Sequence, residues 1–211
     1  VGRTTIEGVR EALGRRPPAT IPEPVGTRAA VALILRETAA GLELLFIHRA
    51  EHADDPWSGH VAFPGGRAEP SDRDLEATAV RETREEIEID LLRYGERLGV
   101  LDEVRAMARG RPVDLAIRPY VFWLHRAVEP HPSPEVDSVF WLALDDLLGP
   151  AWRSTLERTY QGVPVRLPCF RIDDHLIWGL TFRMFESLET RLGETAAAEP
   201  SGRTAQTRSS S

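Results

Sequence analysis

The residues from Ala29 to Leu35, AAVALIL, form the longest aliphatic run in the chain, and its length is what most constrains the fold. A membrane-crossing helix needs roughly 20 apolar residues, so this run is far too short to span a bilayer. With Arg28 it makes a β-rich stretch long enough for a buried strand. A second such stretch, Leu42 to His48, follows the turn at Ala40-Gly41, and the two together predict a hairpin.

Proline, glycine and apolar spacing divide the rest. Residues 1–24 hold a short amphipathic stretch, Thr5 to Leu13, then Pro17, Pro18, Pro22 and Pro24, which reads as a lead-in and linker. Residues 25–193 are expected to form one domain. Residues 194–211, rich in Ala, Ser, Thr and Gly, have nothing to bury and are expected to be a disordered tail. Within the domain, Ala50 to Gly59 is a polar loop carrying Asp54, Asp55 and Pro56, and His60 to Phe63 is a short strand stopped by Pro64-Gly65-Gly66. A helix capped by Ser71 or Asp72 runs to about Ile89. Further strands are expected at Gly99–Val104, Leu115–Leu124, Val136–Leu142 and Val163–Ile172, with helices at Leu144–Leu148 and Leu180–Leu192. This order belongs to the α/β class.

A chain of 211 residues with 42% hydrophobic and 28% charged residues has the composition of one water-soluble globular domain. Its net charge of −7 argues against non-specific nucleic-acid binding, which needs a basic stripe, and favours a small-molecule partner. All 26 basic residues are arginines, so a Walker-type lysine and a Schiff base are excluded and any cationic phosphate contact must be a guanidinium fork. Cys169 is the sole cysteine, which rules out an intrachain disulfide, and it is expected to pack as a small buried hydrophobe. The N-terminal residues show no signal-peptide pattern, so the expected address is the cytoplasm, without membrane association.

Glu82, Glu85 and Glu86 stand three and four residues apart, which places them within an arc of roughly 100° on one helix face. Like charges so placed repel, and burial in a cleft raises their affinity for protons. A divalent cation removes both penalties. Magnesium suits an all-oxygen site that leaves positions for water and substrate phosphates. Taken alone, the cluster reads more readily as a solvated acidic face paired with Arg81 and Arg84.

The flanking residues decide. Phe63-Pro64-Gly65-Gly66, five residues, Asp72, eight residues, then Arg81-Glu82-Thr83-Arg84-Glu85-Glu86-Ile87-Glu88-Ile89 resembles the signature of the Nudix hydrolases. The fixed positions would coincide by chance on the order of once in a few thousand chains. Asp72 stands where the family has glutamate, one extra residue precedes Arg81, Thr83 holds an aliphatic position and Glu88 replaces a late glycine. The resemblance implies an α/β/α sandwich with a mixed sheet, and a Mg2+ (or Mn2+) site. Glu85 and Glu86 would be metal ligands, with Glu82 activating water or binding a second ion and the Gly66 carbonyl as a further ligand. Arg81 would brace the loop through Asp72 or act in catalysis.

Upstream, Leu45-Phe46-Ile47-His48-Arg49-Ala50 and Gly59-His60-Val61-Ala62-Phe63-Pro64-Gly65-Gly66 resemble an additional motif of the coenzyme A pyrophosphatase branch. Ile47 replaces its usual threonine, Asp54 its usual arginine, and the intervening loop is one residue longer. Coenzyme A or its thioesters is the substrate this implies, with ADP-ribose or another nucleoside diphosphate sugar as the enzyme alternative. A ligand sensor without turnover is the non-enzymatic one. Arg49, His60, Phe63, Arg67 and Glu135 are candidate substrate-binding residues, with Arg49 expected to take the 3′-phosphate of coenzyme A, and His48 and Arg171 are further candidates for phosphate. A homodimer is compatible with the sequence. Trp57, Trp123, Trp141, Trp152 and Trp178 are scattered and expected mainly in the core or at its rim.

Overall fold

The computed structural model describes residues 3–22, 25–51, 59–108, 111–160 and 162–198. The first apolar run is the central strand β1 (Thr27–Thr38), which turns into β2 (Gly41–Arg49) with Leu35 opposite Leu44. On its other side β1 runs parallel to β7 (Arg111–Leu124). Successive side chains of a strand point to opposite faces, so an unbroken apolar strand needs cover on both. Ala30, Ala32 and Ile34 pack with Ala79 and Ile87 of helix α2 (Leu75–Ile87). Val31, Leu33 and Leu35 join the opposite core, with Val9 and Leu13 of α1 (Ile6–Gly14) and Phe182, Phe185 and Leu188 of α5 (Gly179–Ala198). The result is the expected α/β/α sandwich around a mixed sheet.

Short strands β3 (Val61–Ala62) and β4 (Gly65–Arg67) follow the loop at 52–58, which lies outside the described residues together with Asp54, Asp55, Pro56 and Trp57. After α2 come α3 (Leu91–Tyr94), β5 (Gly95–Val100) and β6 (Val104–Ala108), then β7 and β8 (Val136–Ala143), the last pairing with β2. With α4 (Leu144–Leu148) the chain leaves this eight-stranded sheet for a second one, β9 (Arg153–Tyr160), β10 (Val163–Ile172) and β11 (His175–Trp178), in the order β11-β10-β9. Phe170 of β10 seats this second sheet on Phe182 and Phe185 of α5, with ring centroids 4.8 and 5.2 Å apart. Cys169 is buried beside it and free.

Several boundaries differ from expectation. Helix α2 is capped by Asp74, whose carboxylate accepts from Ala77 N at 2.8 Å, because Asp72 is engaged elsewhere. The helix ends at Ile87, since Glu88 is in the left-handed region at φ 57°. The single strand expected at 99–104 is broken at Asp102 and Glu103, whose carboxylates accept the backbone N–H groups of Ala19 and Ile21, both at 2.7 Å. The segment expected to be a linker is thus strapped to the domain. Arg16 holds Asp102 with two hydrogen bonds, 2.9 and 2.8 Å, and the fully buried Arg191 of α5 donates to Arg16 O at 2.8 Å and to Asp102 at 3.0 Å. Ile6, Val9, Ala12 and Leu13 of the expected lead-in are core residues. At the other end α5 continues through Gly193 to Ala198, into the expected tail, and residues 199–211 lie outside the described residues.

Candidate active site

Strand β4 pairs with β1 where β1 has parted from β2, setting Gly65 opposite Val31 and Gly66 opposite Ala30. Gly65 has φ 152°, and a Cβ there would overlap Ala30 O and sit 2.6 Å from Val31 Cα. A Cβ on Gly66 would lie 2.5 Å from the Glu82 carboxyl carbon. Two glycines are needed because one must press on β1 and the next must admit a carboxylate.

Arg81 organises the residues behind this loop. Its Nε and Nη2 form a fork on Asp72, both bonds at 3.0 Å, and Nη2 also donates to Arg67 O at 3.0 Å. Its Nη1 donates to Glu82 and Glu85, each at 2.9 Å. Asp72 further accepts from Thr78 Oγ1 and from Glu69 N, both at 2.9 Å. The Arg81 guanidinium, chiefly, holds the Asp72 carboxyl well below the usual carboxylate range.

The three glutamates are not equivalent. Glu86 is buried, accepts Gly65 N at 2.8 Å and faces Arg49 Nη1 at 3.3 Å. Burial pushes its carboxyl up to about 7, and the charges of Glu82 and Glu135 add to the rise, against the pull of Gly65 N–H and Arg49. Glu82 is also raised, first by burial and then by Glu85 and Glu135, against the hydrogen bond and charge of Arg81. Glu85 is largely exposed and turned to Arg81.

Glu82 and Glu86 open into a cleft of about 830 Å3, which Gly66 and the candidates Arg49, His60, Phe63, Arg67 and Glu135 also line. Glu135 reaches it because its loop is tied to the end of α2, with Ser133 N donating to Glu86 O at 2.8 Å and Ala50 N to Glu135 O at 2.9 Å. Phe63 is 2% exposed and stacks on Phe46 at 4.9 Å, so it is mainly a packing residue. The contact with Glu86 places the Arg49 guanidinium at the acidic end of the cleft, not at a remote phosphate subsite. Neither His48, 3.6 Å from Asp137, nor the exposed Arg171 lines the cleft. Sequence reasoning missed the far wall, including Met107, Leu115, Ile117, Leu167 and Met184, with Trp178 and Tyr160 from the second sheet. Leu115, Ile117 and Leu167 lay in expected strands and Leu180 and Met184 on an expected helix, but that periodicity marks burial and does not point to the cleft.

Among the described residues no three Asp, Glu, His or Cys side chains already close on one point, since Arg81 Nη1 lies between Glu82 and Glu85. The donor chemistry nevertheless fits a hard divalent cation. All the candidate ligands are oxygens, and burial outweighs the neighbouring guanidinium at both the half-buried Glu82 and the buried Glu86, so a further cation would favour their charged forms.

The chain belongs to the Nudix family: the family model, described as NUDIX domain, matches residues 26–161. It is 31% identical over 132 residues to an uncharacterized Nudix hydrolase NudL of Photorhabdus laumondii, covering 62% of this chain and 67% of the relative. It is 34% identical over 147 residues to the mitochondrial coenzyme A diphosphatase NUDT8 of Homo sapiens, covering 65% of this chain and 58% of that protein. The chain therefore spans less than two thirds of that human relative's length. Among solved structures, a MutT/nudix family protein from Enterococcus faecalis superposes with a TM-score of 0.54 at 18% identity, over 79% of this chain and 62% of that one. That likeness concerns the fold. Among the described residues no helix is long and apolar enough to cross a membrane.

Proposed function

We propose that this chain hydrolyses the pyrophosphate linkage of coenzyme A or its thioesters, giving 3′,5′-ADP and 4′-phosphopantetheine or its acyl form. The observation that carries the reading is the pairing of half-buried Glu82 and buried Glu86 at one end of a cleft of about 830 Å3, within the usual range for small-molecule sites. The similarity to a protein named as a coenzyme A diphosphatase and the motif upstream of Gly65 support the choice of substrate.

Glu82, Glu85, Glu86 and the Gly66 carbonyl would hold Mg2+ or Mn2+. The bound ion supplies Lewis acidity at the phosphoryl oxygens and an acidified water. Glu82, beside the glycine loop, would orient an attacking water and accept its proton as the water oxygen bonds to phosphorus and the bridging oxygen leaves with the other phosphate. Arg49, within reach of Glu86, neutralises a phosphate oxygen, and Arg67 is a second candidate for that role. Arg81 acts through others, by fixing Glu82, Glu85 and the loop.

The test is a panel of coenzyme A, ADP-ribose and nucleoside diphosphate sugars, with and without metal. Coenzyme A is expected to exceed ADP-ribose at least ~10-fold in kcat/KM, about 1.4 kcal/mol of discrimination. Preference for ADP-ribose would overturn the substrate assignment, and failure to cleave any diphosphate would overturn the activity.

A further inference from the structure

Two arginines hold the three glutamates, and they do so in unlike ways. Arg81 reaches Glu82 and Glu85 through Nη1 at 2.9 Å each, while its other nitrogens stay fixed on Asp72 and Arg67 O. Arg49 meets Glu86 through Nη1 at 3.3 Å, long beside the roughly 2.7–2.9 Å of a tight charge-assisted bond. Strand geometry sends it there. Leu45 and Ile47 of β2 pack in the core under α2, and Arg49, two residues on, continues their face to the end of the strand, where Glu86 stands. Its main chain is anchored, with N donating to His60 O at 3.1 Å, but its side chain is 24% exposed and lines the cleft. The two oxygens of Glu86 are divided: Oε2 accepts Gly65 N at 2.8 Å and Oε1 faces Arg49.

We propose that Arg49 is the exchangeable counter-cation of this site, resting on Glu86 until a divalent ion and the diphosphate arrive together and then turning to the diphosphate, so that metal and substrate each strengthen the binding of the other. The inference rests on the function proposed above. A carboxylate oxygen holds magnesium at about 2.1 Å, so an ion on Oε1 would lie no more than about 5.4 Å from Nη1. Two cations that close in a partly buried cleft repel strongly and are poorly screened by salt. With Arg49 on Glu86 the site therefore holds a lone ion weakly. A diphosphate reverses the sign of the interaction, because its oxygens accept from the guanidinium and ligate the ion at once. Reciprocity follows: whatever factor the diphosphate adds to metal affinity, the metal adds to diphosphate affinity. Arg67 is the natural contrast, since it is exposed, lines the same cleft and, among the described residues, forms no ion pair with the three glutamates.

The experiment titrates Mn2+ into the full chain without substrate and reads the bound ion by electron paramagnetic resonance. Removing the guanidinium in Arg49→Met should tighten Mn2+ binding at least ~5-fold, whereas Arg67→Met, which removes a charge from the same cleft, should change it less than ~2-fold. Arg49→Gln keeps a donor for Glu86 and should tighten binding in the same direction, so the result does not hang on the folding of one variant. A second titration adds an ADP analogue in which carbon bridges the two phosphorus atoms, so that it cannot be hydrolysed there. The analogue should raise Mn2+ affinity at least ~10-fold in the parent, and that enhancement should fall at least ~5-fold in both Arg49 variants. Chelation of Mn2+ by the free analogue is common to every titration and cancels between proteins. Unchanged or weaker Mn2+ binding in both Arg49 variants, an equal gain in Arg67→Met, or an enhancement that survives loss of the guanidinium would overturn this inference alone, provided that the parent cleaves coenzyme A. A parent that neither binds Mn2+ nor cleaves coenzyme A would remove the proposed function and this inference together.

Discussion

Arg81 uses all its donor directions on the protein: Asp72 twice, Arg67 O, Glu82 and Glu85. Arg81→Ala would leave Asp72 half-enclosed without its cation and release two glutamates, so we expect a loss of about 2–3 kcal/mol in urea unfolding together with slower turnover. Normal stability with abolished turnover would instead place the guanidinium on the phosphate. Glu86 should behave in the opposite way. Glutamine keeps an acceptor for Gly65 N and removes a charge that burial disfavours, so Glu86→Gln should melt no lower than the parent. Its kcat should nonetheless fall at least ~100-fold, and excess chelator should abolish activity of the parent, because a lost ligand charge disables the metal's role. Equal rates in parent and variant would move the site elsewhere.

At the scale of elements, α2 ends on a conformation that its sequence does not favour. Glu88 is left-handed at φ 57°, with its N–H donating to Arg84 O at 3.0 Å, the place where the family signature has glycine. Glu88→Gly should therefore stabilise the fold by about 0.5–1 kcal/mol, a Tm rise of roughly 1–4 °C, and a lower Tm would show that the side chain has a compensating role. The elements that could be read from sequence were those whose apolar pattern survives alone: β1, β2, β7, β8, β10, α2, α4 and α5. Strands β9 and β11 could not, because RSTLERTY has mostly exposed side chains and no clean alternation, and its register comes from β10 rather than from a buried face of its own. The site divides in the same way. Its glutamates share one helix face, a local relation visible in spacing, whereas Trp178, Leu167 and Met107 reach the cleft only through long-range docking of the second sheet, α5 and β6.

At the scale of the molecule, Asp102, outside the cleft, should add to the acid sensitivity that Asp72 brings at the site. Asp102 is held below the usual carboxylate range, first by its hydrogen bonds from Arg16, then by Ala19 N and Arg191, against the effect of burial. A depressed carboxyl contributes stability that is complete above its unfolded pKa of roughly 3.9 and is lost as pH falls toward the lower folded value. Urea midpoints should therefore drop below about pH 4, and Asp102→Asn should flatten that drop while costing about 3 kcal/mol at neutral pH. An unchanged acid limb in the variant would assign the sensitivity to other carboxylates.

The strap that passes Asp102 also means that the recognisable domain and the foldable unit have different edges. The family match begins at residue 26, whereas the buried interior begins at Ile6. A protein cut at the motif's own boundary would strip Arg191 of its Arg16 and Pro17 carbonyl acceptors and uncover Leu98 and Gly99, where Leu13 now rests. Such a trimmed protein would retain every glutamate of the box. We expect it to precipitate on mild warming or to lose turnover irreversibly, so an inactive minimal domain would report a missing wall, not a missing catalyst. Adding back residues 3–22 as a covalent extension should restore both properties.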